Sequence, residues 1–134
     1  MLFETDVLLA ALNSKDPANS MALKVLDSEA SSLSPFSLLE TNHLARAGKL
    51  KILDYDDYAD NVDALLSMYS VKVLNDRPQY HSAARRFESR FKLTFFDSLH
   101  AAVSKVEGEV LASFDRVYDK LGDEGVKRIS PRDL

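Results

Sequence analysis

Two kinds of apolar stretch alternate along this chain, and that alternation limits the folds open to it more than any other feature. Short runs of strand character lie at Leu2 to Thr5, Ser31 to Pro35, Val71 to Leu74, Glu109 to Ser113 and Val126 to Ile129. Longer segments with helical spacing separate them. Val7 to Leu12 is apolar on all sides and reads as a buried helix. Asp16-Pro17 opens a second helix, Asp as N-cap and Pro at the first position, which packs Met21, Leu23, Val25 and Leu26 and ends near Ala30. A third runs through Leu38, Leu39, Leu44 and Ala45 to Gly48. Asp54 opens a fourth, with Val62, Leu65, Leu66 and Met68 at helical spacing. After the turn Asn75-Asp76-Arg77-Pro78, a polar helix reaches about Phe91. Thr94 to Gly108 is helical through Leu99, Ala102, Val103 and Val106, and Arg116 to Leu121 is a short helix. Strands alternating with helices predict a parallel sheet covered on both faces.

The 134 residues suit a single domain spanning 1–134. With 46% hydrophobic residues the chain can bury a core without disulfides or a structural metal. It has no cysteine, which excludes zinc–thiolate sites, disulfides and thiol nucleophiles. No apolar run approaches the roughly 20 residues that span a bilayer. The opening Met1-Leu2-Phe3-Glu4-Thr5-Asp6 carries acids where a secretory signal carries lysines. The expectation is a soluble, unprocessed, cytoplasmic protein. The net charge is −4, with 21 acidic residues against 17 basic ones. General positive charge therefore does not hold nucleic acid here, and a polyanion would need a bound cation or a local basic patch.

Acids recur where a strand gives way to a helix. They are Glu4 and Asp6 in Glu4-Thr5-Asp6, Glu40 in Ser37-Leu38-Leu39-Glu40, Asp97 in Thr94-Phe95-Phe96-Asp97, and Asp115 in Ser113-Phe114-Asp115. In an open α/β sheet, ligands bind beyond the carboxyl ends of the strands. Acids converging there need a compensating cation, and a hard divalent ion with oxygen ligands fits. Each acid has a local explanation too. Ser37 to Glu40 and Thr94 to Asp97 have the form of capping boxes, and Asp6 and Asp115 that of N-caps. Glu40 and Asp97 sit among apolar neighbours, where an unpaired carboxylate is costly.

The order of these motifs resembles that of the PIN domain, the metal-dependent nuclease fold of VapC-type toxins. Glu4-Thr5-Asp6-Val7-Leu8-Leu9 is similar to the family's opening acid, hydroxyl residue and aliphatic run. Asp97-Ser98-Leu99-His100-Ala101-Ala102 is similar to its Asp-Ala-Leu-His-Ala-Ala helix start, and Ser113-Phe114-Asp115 to its Thr-x-acid strand end. Two departures are Glu4 in place of Asp and Ser113 in place of Thr. The resemblance covers roughly Leu2 to Ile129. It implies a three-layer α/β/α sandwich with a central, mostly parallel sheet, and an endoribonuclease using Mg²⁺ or Mn²⁺. Glu4, Asp6, Glu40, Asp97 and Asp115 would hold the metal, with Ser113 orienting a carboxylate or water, and whether Glu4 or Asp6 is the first ligand stays open. It further implies a homodimer and an antitoxin protein partner. The alternative is a PIN-fold binding or scaffolding module that has lost catalysis, which the Glu4 substitution favours.

Other residues carry two readings. His43 and His100 follow Glu40 and Asp97 by three positions, a spacing also used by di-iron helical bundles. The alternative is that each packs or hydrogen-bonds locally. Arg85, Arg86 and Arg90, with Lys92, form the densest basic cluster: a candidate RNA-binding face, or an ordinary solvated one. Arg46, Lys49 and Lys51 invite the same pair of readings. Asp119 is either a further site acid or a partner of Arg116, and Tyr55, Tyr58 and Tyr69 either stack bases or pack.

Overall fold

A computed structural model describes residues 1–134, and in it every strand lies parallel to its neighbours. The strands are β1 (Leu2–Phe3), β2 (Ser32–Leu33), β3 (Lys72–Val73), β4 (Leu111–Ala112) and β5 (Arg128–Ile129), in the spatial order β3-β2-β1-β4-β5. Six α-helices connect them: α1 (Thr5–Leu12), α2 (Asn19–Leu26), α3 (Ser37–Arg46), α4 (Tyr55–Met68), α5 (Pro78–Phe91) and α6 (Phe95–Glu107). Two 3₁₀ helices, Arg116–Glu124 and Pro131–Asp133, complete the chain.

The two-residue period of a strand decides which helices cover which face. Leu2 and Leu111 point into one core with Tyr80, Ala83 and Phe87 of α5 and Leu99 and Val103 of α6. Phe3 and Ala112 point into the other, with Val7 and Leu8 of α1, Val25 and Leu26 of α2, and Val62 and Leu66 of α4. The result is the expected α/β/α sandwich, with a sheet that is parallel throughout. A five-stranded parallel sheet also disposes of the four-helix di-iron arrangement.

The helix boundaries follow local chemistry. Asp54 caps α4 by accepting from the amides of Asp56 and Asp57 at 2.9 and 3.1 Å. Gly108 ends α6 at φ 67°, a left-handed position that suits glycine. Asp16 does not cap α2. It takes the Ala18 amide at 2.8 Å within a turn, and the helix begins at Asn19, whose side chain satisfies the Ala10 and Ala11 carbonyls at the end of α1. Strands are shorter than expected. Val71 to Leu74 contributes only the exposed edge pair Lys72–Val73, while Val71 and Leu74 pack into opposite cores, as residues three apart in an extended chain do.

Candidate metal centre

The chain reverses its winding between β1 and β4, so helices leave these neighbouring strands on opposite faces and open a crevice beyond their carboxyl ends. Glu4 follows β1 into that crevice, Ser34 follows β2, and Ser113 follows β4. Glu4 is buried and is the N-cap of α1, its Oε2 accepting from the Asp6 amide at 3.2 Å. Its Oε1 accepts from the Ser113 hydroxyl at 2.7 Å. The same hydroxyl lies 2.9 Å from Asp6 Oδ2, so its one proton serves two carboxylates. Asp6 Oδ2 also accepts from the Phe114 and Asp115 amides at 2.8 and 3.2 Å, tying α1 to the turn after β4.

Burial raises the Glu4 carboxyl well above the usual carboxylate range, and the neighbouring Asp6 charge adds to it. Burial also raises Asp6, against the lowering effect of its hydrogen bonds with Glu4 and Ser113. Asp6 Oδ1 is buried with no hydrogen-bond partner. A buried acid beside a partly buried one, with one buried oxygen unmatched, is an arrangement that a cation would complete.

Glu40 enters from α3. The capping-box reading of this acid is not what the structure shows. Ser37 is already helical, the N-cap is Phe36 without a side-chain bond, and Glu40 turns instead to His100 Nε2 at 2.9 Å. Burial alone would raise the Glu40 carboxyl, but the His100 hydrogen bond and charge bring it below its ordinary value. His100 is fully buried on α6, with Nδ1 at 2.7 Å from Ser34 Oγ and Nε2 at 3.4 Å from Thr5 Oγ1 and 3.9 Å from Glu4 Oε2. One donor atom each from Glu4, Glu40 and His100 lie within 4.8 Å of one another.

Asp97 reaches the same crevice from the first turn of α6. Its amide donates to Thr94 Oγ1 at 3.3 Å, one half of a capping box, while its carboxylate accepts from Tyr118 OH at 3.3 Å. Burial raises the Tyr118 hydroxyl well above its usual value, and the charges of Glu4, Asp97, Asp6 and Glu40 raise it further. Of these four acids, Asp97 is the one that the phenol touches.

Asp115 sits beside Asp6, to which its amide donates. It is exposed, and Oδ1 caps the following 3₁₀ helix through the Val117 amide at 2.9 Å. Asp119 pairs with Arg128 at 2.6 Å and with Arg116 at 3.5 Å, both across the surface. His43 is exposed and lies against the Phe96 ring, centroids 5.7 Å apart. Arg85 and Arg86 line a shallow depression with Glu88 and Ser89, none of which touches the acids. Tyr55 is half exposed, while Tyr58 and Tyr69 pack against the core that holds α1, α2 and α4.

Thr5, Ser34, His100 and Tyr118 were not among the residues singled out for the site by sequence. His100 left the best signal: it is three residues after Asp97, so both side chains share one helix face.

A family model for the PIN domain matches residues 1–124. The chain belongs to the PIN domain family. Several solved structures share the fold. VapBC2 from Rickettsia felis, solved with a fragment of promoter DNA, superposes with a TM-score of 0.74 at 12% identity, covering 96% of each chain. PAE2754 from Pyrobaculum aerophilum gives 0.66 at 24% identity over 99% of this chain and 90% of its own. VapC20 from Mycobacterium tuberculosis, a toxin that cleaves the sarcin–ricin loop, gives 0.63 at 18% over 90% and 94%. No curated protein matches by sequence. PIN domains are nucleases, so the crevice described above is where this chain's chemistry is to be sought.

Proposed function

We propose that this PIN domain is an endoribonuclease dependent on Mg²⁺ or Mn²⁺ and the toxin of a toxin–antitoxin pair. The observation that carries this reading is the convergence of Glu4, Glu40 and His100 beside the partnerless oxygen of Asp6. A bound divalent ion would lower the pKa of a water and neutralise the scissile phosphate.

The residues of the chain supply the rest. Glu4, Asp6, Glu40 and Asp97 hold the ion directly or through waters, with Asp115 in contact through water, since its carboxylate already caps a helix. Ser113 fixes the orientation of Glu4 and Asp6 with one hydroxyl. Tyr118 holds Asp97. Arg85, Arg86 and Arg90 on the exposed face of α5 take flanking phosphates of the RNA.

The inactive-module reading rested on Glu4 in place of Asp. Its buried carboxylate lies with the other donors rather than away from them, which favours a working site. An antitoxin is supported by an open apolar groove beside Glu40, lined by Leu39, Leu44, Phe95 and Phe96. The proposed toxin is a homodimer.

Calorimetric titration with Mn²⁺, followed by incubation with single-stranded RNA with and without a chelator, tests the proposal. Binding of Mn²⁺ and chelator-sensitive cleavage are expected. Protein that binds no Mn²⁺ would leave only the inactive module.

A further inference from the structure

We infer that His100 is itself a metal ligand through Nε2, so that this site is a mixed nitrogen–oxygen centre rather than one of carboxylates alone. The inference rests on the metal-dependent reading above and makes it more specific.

The first argument is geometric. Donors that share one six-coordinate ion of Mg²⁺ or Mn²⁺ size lie about 3 Å apart when adjacent and a little over 4 Å when opposite. His100 Nε2 is 2.9 Å from Glu40 Oε1 and 3.9 Å from Glu4 Oε2. Nothing has to move far to place an ion among them.

The second argument concerns the far side of the ring. A ligating histidine is held by a hydrogen bond from its other nitrogen, which fixes both ring and tautomer. Here Nδ1 meets Ser34 Oγ at 2.7 Å, and that oxygen also receives the Phe36 amide at 3.4 Å. With Nδ1–H donating to Ser34, the Nε2 lone pair points at Glu4 and Glu40. Two carboxylates and a lone pair then face one another, an arrangement that a bound cation completes.

The third argument is burial. His100 is fully buried, so solvent does not compete for Nε2, and its position is set by packing on both sides of α6. Imidazole ligands favour transition ions over Mg²⁺, so the centre should select Mn²⁺ over Mg²⁺.

Pulsed electron paramagnetic resonance of the Mn²⁺-loaded protein reads this directly, with no dependence on cleavage. The His43→Gln/His81→Gln double variant changes two exposed residues and leaves His100 the only one of the three histidines. Its spectrum should show ¹⁴N modulation from a coordinated imidazole, replaced by the ¹⁵N pattern when histidine is isotopically labelled. Mn²⁺ bound without nitrogen coupling would overturn the inference and leave the carboxylate site standing. No Mn²⁺ binding would overturn both. As a second measurement, His100→Gln that retains its circular dichroism should bind Mn²⁺ about tenfold or more weaker, with a narrower preference over Mg²⁺. An unchanged preference would count against the inference.

Discussion

Replacing Ser113 by Ala isolates the device that holds the site in register. The hydroxyl donates its proton between Glu4 Oε1 at 2.7 Å and Asp6 Oδ2 at 2.9 Å and is itself buried. Asp6 keeps the Phe114 and Asp115 amides after the change, but Glu4 Oε1 loses its only donor. A hydrogen bond to a charged group contributes about 1.5–3 kcal/mol, and the lost oxygen leaves too little space to admit a water. At about 2.1 cal/mol/K per residue, 134 residues give an unfolding entropy of about 0.28 kcal/mol/K. The metal-free variant should therefore melt about 5–11 °C below wild type at neutral pH. Ser113→Thr keeps the hydroxyl and should recover most of the loss.

Acidity supplies a control. Ser113 lowers the pKa of both acids, so its stabilisation belongs to the ionised pair. As pH falls and the pair takes up protons, Glu4 and Asp6 can bond to one another and the gap should close. Equal melting temperatures at neutral pH, or a gap that widens on acidification, would refute the account of Ser113 as the shared donor.

Three further outcomes follow from the same geometry. Asp97→Asn should abolish Mn²⁺ binding and RNA cleavage while shifting the metal-free melting temperature by no more than about 2 °C, because the Thr94 cap uses the Asp97 amide and Tyr118 OH can still donate to the Asn carbonyl. Glu4 and Asp6 have raised pKa values in the folded state, so their stabilisation is complete below the ordinary carboxylate range and is lost as pH rises through the folded values. Chelator-treated protein should therefore melt higher at mildly acidic than at neutral pH, until still lower pH protonates Glu40 and Asp119, whose pKa values are lowered; Glu4→Gln should flatten the rise, and Mn²⁺ affinity measured calorimetrically should increase with pH. Arg85→Ala/Arg86→Ala should flatten the slope of log RNA affinity against log salt by about 1–1.5, measured with Ca²⁺ to prevent cleavage, and an unchanged slope would return α5 to an ordinary solvated face.

The layers of the fold were legible because they follow from periodicity, a local property. Leu2 and Phe3 face opposite cores as a strand must, and within the apolar run after them Val7, Leu8, Ala10 and Ala11 are buried. The acids were legible as positions but not as partners. Ser37 to Glu40 has the sequence of a capping box, yet Glu40 bonds to a histidine sixty residues away. Local motifs score only local partners, so Ser34 and Tyr118 could not be found from them, and His100 was visible only as a neighbour of Asp97 on one helix face.

What joins these residues is the register of the sheet. Leu2 pairs with Ser32 on one side and Leu111 on the other. Two residues further on, Glu4 is level with Ser34 and with Ser113. Ser113 thereby reaches Glu4 Oε1, while Ser34 stands behind the ring that links Glu40 to Glu4. A slip of one residue in β4 would turn Ser113 toward the opposite face and present Phe114 to the crevice. The site therefore depends on pairings between segments thirty to more than a hundred residues apart, set by which apolar side chains fill which core. Folding the two cores and assembling the crevice are one event, and the raised pKa values of Glu4 and Asp6 are the electrostatic consequence of completing it.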